Sequence, residues 1–150
     1  LNEGHRTLMD WLDVHPVCGD SAALIAASKL LLTKSGTVTM EAALHGTPMV
    51  IGYRTSGLSF ALARLLVKVR HIGMPNLLVS DPQIPELVQD NLTPERLSKL
   101  ALGLLDDDSA LRGRILEQCR RVRNMLQTGK PASLRVAEIA LEMCGPRGNK

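Results

Sequence analysis

With 150 residues, 45% of them hydrophobic and 22% charged, the chain holds one ordinary domain with a real core and is not a disordered segment. No apolar run reaches the roughly 18 to 20 residues of a membrane span, and Leu1–Asp10 has no signal-peptide hydrophobic stretch. The net charge of +3 is unevenly spread: basic blocks at Arg54–Arg70 and Arg112–Lys130 flank an acidic Asp81–Asp108, arguing for separate faces rather than one cationic surface.

Trp11–His15 reads as a short strand closed by Pro16. Asp20 or Ser21 then caps an Ala-rich helix running to about Ser28. Lys29–Thr33 is a short apolar run without alternation, the pattern of a parallel strand covered on both faces. Ser35-Gly36-Thr37 breaks it, a helix follows through Val38–His45, and Gly46 stops that helix. Pro48–Gly52 reads as a second buried strand.

Beyond Tyr53, Leu58, Ala61, Leu62, Leu65, Leu66 and Val69 fall at helical spacing, with Arg64 and Lys68 on another face. Leu77-Leu78-Val79 is predicted as a last short strand and Ile84–Asp90 as a short helix. Thr93 caps the next helix, with Pro94 at its first position and its end near Leu105. Ser109–Gln127 and Ala132–Met143 are two further helices, before a frayed tail from about residue 145. Short apolar strands alternating with modest helices define an α/β fold, a partial Rossmann-like parallel sheet with a helical C-terminal tail. The expected division is 1–105 for the sheet domain and 106–150 for C-terminal helices packing on it.

Cys18, Cys119 and Cys144 are an odd number without a C-x-x-C pair, and His5, His15, His45 and His71 are scattered. A disulfide framework and a zinc site are therefore not expected. Reduced thiols acting as small apolar side chains in a cytosolic compartment fit this pattern.

The stretch that carries chemistry is Lys34-Ser35-Gly36-Thr37-Val38-Thr39-Met40-Glu41. It lies where a predicted strand gives way to a helix, the edge at which open α/β sheets bind ligands. Gly36 admits a close backbone approach, helix-start amides favour a phosphate, and Ser35 and Thr37 add hydroxyls. Glu41, about one turn on, suits a ribose diol. The same residues also serve as plain punctuation, with Glu41 a solvated acid favourable to the helix dipole. Arg54, in Gly52-Tyr53-Arg54 at the end of the next strand, suits a diphosphate or a surface ion pair. Asn76 suits sugar hydroxyls or an ordinary turn. The Gly52–Gly57 spacing imitates a P-loop, but Leu58 stands where lysine is required, and neither a G-x-S-x-G elbow nor a complete G-x-G-x-x-G occurs.

Thr33–Arg54 resembles the C-terminal domain of lipid-A-disaccharide synthases, in which S-G-T-x-T-x-E-A is followed by P-M-V-x-x-Y-R. The resemblance continues through A-R-L-L-V-K-V at Ala63–Val69, P-N-L-L at Pro75–Leu78, P-E-L-V-Q-D at Pro85–Asp90 and T-P-E-R-L at Thr93–Leu97, covering roughly residues 12 to 143. The Ser-Gly-Thr and Glu portion is shared with other GT-B glycosyltransferases; the Tyr-Arg and Pro-Asn-Leu-Leu portions are what single out this family.

The resemblance implies a GT-B enzyme that transfers 2,3-diacylglucosamine from UDP to 2,3-diacylglucosamine 1-phosphate in lipid A biosynthesis, without a metal or cofactor. Ser35, Gly36 and Thr37 would cradle the UDP diphosphate, Glu41 would hold ribose, Asn76 would face the donor, and Tyr53 and Arg54 would complete the nucleotide-sugar site. It further implies a cytoplasmic protein, peripheral on the anionic inner-membrane surface, with room for a homodimer and no nucleic-acid partner. The Leu58–Arg70 helix, with Arg64, Lys68 and Arg70, suits such an interface. Both the family's N-terminal acceptor domain, with its acidic candidates for base catalysis, and the P-G-S-R segment are missing from this sequence, so the chain reads as a fragment or truncated product inactive alone. Two other readings compete: another UDP-sugar GT-B enzyme such as the peptidoglycan N-acetylglucosaminyltransferase, and a non-catalytic basic module binding nucleic acid or anionic membrane. The scarcity of aromatics (Trp11, Tyr53 and Phe60 only) and the acidic middle oppose the latter.

Overall fold

The computed structural model describes residues 13–57, 70–127, 129 and 131–144. The Leu58–Arg70 helix and the tail from residue 145 lie almost wholly or wholly outside the described residues, as do Trp11 and Leu12. Residues 13–15 carry no strand.

Helix α1 (Ser21–Ala27) starts where Asp20 accepts the Ala23 N–H at 3.0 Å, as the cap reading requires. Strand β1 (Leu31–Lys34) follows, then α2 (Thr37–His45) and β2 (Met49–Tyr53). Gly46 ends α2 in the left-handed region at φ +76°, with its N–H turned back to the helix carbonyls. A one-turn helix α3 (Met74–Leu77) and strand β3 (Glu86–Val88) come next, then α4 (Pro94–Leu105), α5 (Ala110–Leu126) and α6 (Ala132–Cys144). Thr93 caps α4 and Ser109 caps α5 through their hydroxyl oxygens.

The three strands form one parallel sheet in the order β1-β2-β3, with Lys34 opposite Gly52 and Tyr53 opposite Val88. A parallel α/β sheet of Rossmann-like character is thus present, and a C-terminal helix follows it. The third strand departs from the sequence reading. Leu77-Leu78-Val79 is not a strand: Gly73 and Pro75 start a helical turn there, and Leu77 and Leu78 are 50% and 43% exposed. Glu86–Val88, read as helix, is the strand instead. Its neighbour β2 offers an open ladder, which the Pro85 carbonyl enters by accepting the Ile51 N–H at 2.9 Å. A short segment takes the structure its neighbour can hydrogen-bond.

Packing is densest around β2. Ala42 and Ala43 of α2 are fully buried, and α2 packs closely on both β1 and α5. Met49, Val50 and Ile51 fill the middle with no exposed surface. From α5, Ile115, Cys119 and Val122 complete the core at helical spacing. Burying each such side chain stabilises by about 1.5–3 kcal/mol. Strand β1 alternates half-buried and exposed residues rather than being covered on both faces, and Leu32 is 51% exposed. Arg112 ties the edge together, donating to the carbonyls of Lys29 and Leu104. Asp107 pairs with Lys29 at 3.0 Å, and that hydrogen bond and charge hold its carboxyl below the usual range.

Helix α6 has no buried residue, and Val136, Leu141 and Met143 stand exposed. Of the cysteines, only Cys119 is a buried apolar side chain; Cys18 and Cys144 are exposed, and all three are free. No helix among the described residues is long and apolar enough to cross a membrane.

Candidate functional site at the carboxyl edge of the sheet

Parallel pairing brings the carboxyl ends of the strands to one edge. Because Lys34 lies opposite Gly52, and Tyr53 opposite Val88, the residues that follow each strand (Ser35, Arg54 and Gln89) emerge side by side. Two predicted clusters, Ser35-Gly36-Thr37 and Tyr53-Arg54, therefore share this edge.

Gly36 is the N-cap of α2 and provides no side-chain cap; the Thr39 N–H donates to the Gly36 carbonyl at 3.1 Å, and the Thr37 and Val38 N–H groups ahead of it are left to other partners. Its backbone is extended, at φ 164°, which any residue adopts. A Cβ at Gly36 would meet nothing within 4 Å, so no described neighbour demands glycine there. Thr39 steadies the turn by donating its hydroxyl to the Gly36 carbonyl at 2.7 Å. Ser35 donates its hydroxyl to the Ile72 carbonyl at 2.7 Å, which joins the turn to the loop before α3. Thr37 is exposed at the first helical position. Glu41 is half-buried one turn further along and has no hydrogen-bond or ion-pair partner among the described residues.

On the adjoining strand, the Lys34 ammonium sits 5.7 Å from the Tyr53 ring centroid, a cation–π pairing across β1 and β2. Arg54 is exposed and reaches the Gln89 carbonyl at 3.5 Å. Gln89 itself holds a left-handed backbone at φ 53°, unusual for a residue with a side chain. Its amide grips Thr55 twice, accepting the Thr55 N–H at 2.8 Å and donating to the Thr55 carbonyl at 3.0 Å. Backbone strain of this kind persists where the surroundings hold it.

Asn76 lies elsewhere. It is 2% exposed, below the edge, and every polar atom of its side chain is engaged. Its Nδ2 donates to the Ile84 carbonyl at 2.9 Å and to Glu86 Oε1 at 2.6 Å, while Oδ1 accepts from Gln118 Nε2 at 2.9 Å. Gln118 also donates to the Pro75 carbonyl and accepts the Gln83 N–H. Sequence reasoning passed over Glu86, Gln89 and Gln118. For Gln118 a signal existed: it is the polar member of the otherwise apolar Ile115, Gln118, Cys119, Val122 face. Glu86 and Gln89 were hidden by the helix assigned to them.

Among the described residues no three His, Cys, Asp or Glu side chains gather as a metal site. Burial pushes the Cys119 thiol up to about 11, against a smaller opposing pull from the Arg123 charge.

A parallel α/β sheet with an uncapped helix start at its carboxyl edge defines a Rossmann-like domain with its candidate ligand site in the usual place. The family model for lipid-A-disaccharide synthetase matches residues 6–143, and the chain belongs to that family. It is 43% identical over 138 residues to the lipid-A-disaccharide synthase of Anaeromyxobacter sp. (strain K), covering 91% of this chain and 34% of that protein. The synthase of Haemophilus influenzae (strain PittGG) is 42% identical over 106 residues, 70% of this chain and 27% of the relative. That of Prochlorococcus marinus (strain MIT 9313) is 48% identical over 105 residues, 69% and 26% respectively. The chain thus spans about a third or less of the length of these curated relatives.

Proposed function

We propose that this chain is the donor-binding part of a lipid-A-disaccharide synthase, a glycosyltransferase that moves 2,3-diacylglucosamine from UDP to 2,3-diacylglucosamine 1-phosphate. The observation that carries the reading is the uncapped start of α2 at Gly36, on the carboxyl edge of the sheet, in a chain of this family. Backbone N–H groups and the helix dipole there favour a diphosphate without a metal. A glycine that no described neighbour requires is the residue a closely approaching phosphate would require.

In this reading Thr37 donates its hydroxyl to the diphosphate, and Ser35 anchors the turn because its proton is committed to Ile72. Glu41, with no partner among the described residues, accepts the ribose hydroxyls. Arg54 supplies positive charge, and Tyr53 stacks under Lys34 at the flank. Asn76 acts from beneath, through the network that holds the loop around residues 71–76. The sheet domain spans 1–105 and α5 packs on it; the chain alone does not turn over, and base catalysis comes from the rest of the enzyme. Acylated substrates suit an enzyme on the cytoplasmic face of an anionic membrane, to which basic residues such as Arg64 and Lys68 would each contribute about 1 kcal/mol.

The test uses the full-length polypeptide that carries this segment. Glu41→Ala should weaken UDP by roughly 1.5–3 kcal/mol in calorimetry, the range for a hydrogen bond to a charged group, and leave pyrophosphate unchanged. Equal loss for both ligands would remove the ribose assignment. Release of UDP from UDP-2,3-diacylglucosamine, dependent on the acylated acceptor, checks the reaction itself.

A further inference from the structure

We infer that Glu86 is a positioning residue for the Ser35-Gly36-Thr37 turn, acting through the Ile72–Gly73 peptide group; the inference rests on the donor-nucleotide reading above. The Glu86 side chain is 9% exposed, and its one ion-pair partner among the described residues is His71, 3.7 Å away. All its hydrogen-bond partners are donors. Oε2 accepts the Ile72 N–H at 2.9 Å, and Oε1 accepts both the Gly73 N–H at 3.0 Å and the Asn76 amide at 2.6 Å.

The Gly73 N–H and the Ile72 carbonyl belong to one planar peptide unit. Glu86 holds that unit by its N–H, and the Ser35 hydroxyl holds it by its carbonyl. Rotating the plane breaks both bonds together, and a charged acceptor on the N–H strengthens the carbonyl as an acceptor. The peptide cannot drift sideways either. A Cβ at Gly73 would lie 2.4 Å from Ile51 Cδ1 and 3.2 Å from Glu86 Oε1, so the loop sits directly on β2. Pairing of β3 with β2 fixes the Glu86 backbone in turn. A path of hydrogen bonds therefore runs from the third strand, through one peptide, to the turn at the end of the first.

Glutamine at this position offers one acceptor oxygen and turns an NH₂ toward a backbone N–H. Calorimetry on the full-length polypeptide with UDP and with uridine tests the role. Glu86→Gln should lower UDP affinity about tenfold and leave uridine affinity within about twofold, because the diphosphate cradle shifts and the base contacts do not. Ser35→Ala should lose a similar factor, and the double variant should lose no more than either single one. Additive losses, or equal losses for UDP and uridine, overturn the proposal and leave Glu86 a structural residue only. Should Glu86→Gln fail to fold, amide NMR of the unmodified protein decides: UDP must shift the Ile72 and Gly73 amides along with Gly36 and Thr37, and shifts confined to Gly36 and Thr37 overturn it. Absence of UDP binding in the unmodified protein overturns the donor reading as well, and is recognised before any variant is made.

Discussion

Two polar regions, linked through the Ile72–Gly73 peptide that Ser35 and Glu86 both hold, obey opposite rules. At the sheet edge, Gly36, Thr37 and Glu41 have donors and acceptors that no described neighbour uses. Beneath it, Asn76, Glu86 and Gln118 are so thoroughly engaged that little bonding capacity remains for a ligand. Buried polar groups must be satisfied from within, whereas a binding site is made of groups held in place with their bonds still to give. The contrast separates a scaffold from a candidate site, although the sequence offered Asn76 and Thr37 as candidates of the same kind.

The comparison breaks most visibly if the lower network is cut. Gln118→Leu keeps the volume but strands the Asn76 and Pro75 oxygens and the Gln83 N–H, so unfolding of the full-length polypeptide in urea should show a loss of about 3 kcal/mol. A loss below about 1 kcal/mol would mean the network is not the scaffold it resembles.

The core beside that network has its own pH signature. Cys119 is held neutral by burial, so its folded pKa, about 11, lies above the ordinary thiol value of 9.0. Between those values the unfolded chain releases its thiol proton while the folded one keeps it, and stability falls as pH rises. The fall should amount to about 2 kcal/mol between pH 8.5 and 11 and should vanish in Cys119→Ala, as read from urea midpoints at several pH values. An identical slope in the variant would assign the loss to other groups.

At the edge the expectation reverses. Gly36→Ala places a methyl in open space on an extended backbone, so stability should stay within about 0.5 kcal/mol. On the proposed donor-binding reading, UDP affinity should nevertheless drop about tenfold, or 1.4 kcal/mol, because the methyl would meet the diphosphate. Unchanged affinity would take Gly36 out of the cradle. The smallest effect belongs to Lys34→Gln, which removes the cation over Tyr53 at an exposed position and should shift stability by about 0.5 kcal/mol.

Local chemistry made some elements readable without any structure. Asp20, Thr93 and Ser109 cap the helices that follow them, and Gly46 ends α2 in the left-handed conformation that glycine tolerates. These signals act within four residues. The Leu77–Val79 and Ile84–Asp90 assignments were exchanged because the deciding partner, the free edge of β2, lies some 35 residues upstream of Glu86. Gln89 shows the same limit: its left-handed backbone is sustained by Thr55, 34 residues away.

The sequence alone determined the alternation of helices and strands, the Ser-Gly-Thr turn at the start of a helix, and the motifs that tie the chain to its family. Caps, turns and apolar periodicity are written in neighbouring residues, so they survive without knowledge of the fold. Tertiary structure alone decided which segment became the third strand and that Asn76 is buried rather than presented. It also decided that Glu86 reaches Ser35 through a single peptide. Backbone amides carry no mark in the sequence, and a carboxylate's partners are chosen only when distant segments are packed together and every buried donor must find an acceptor.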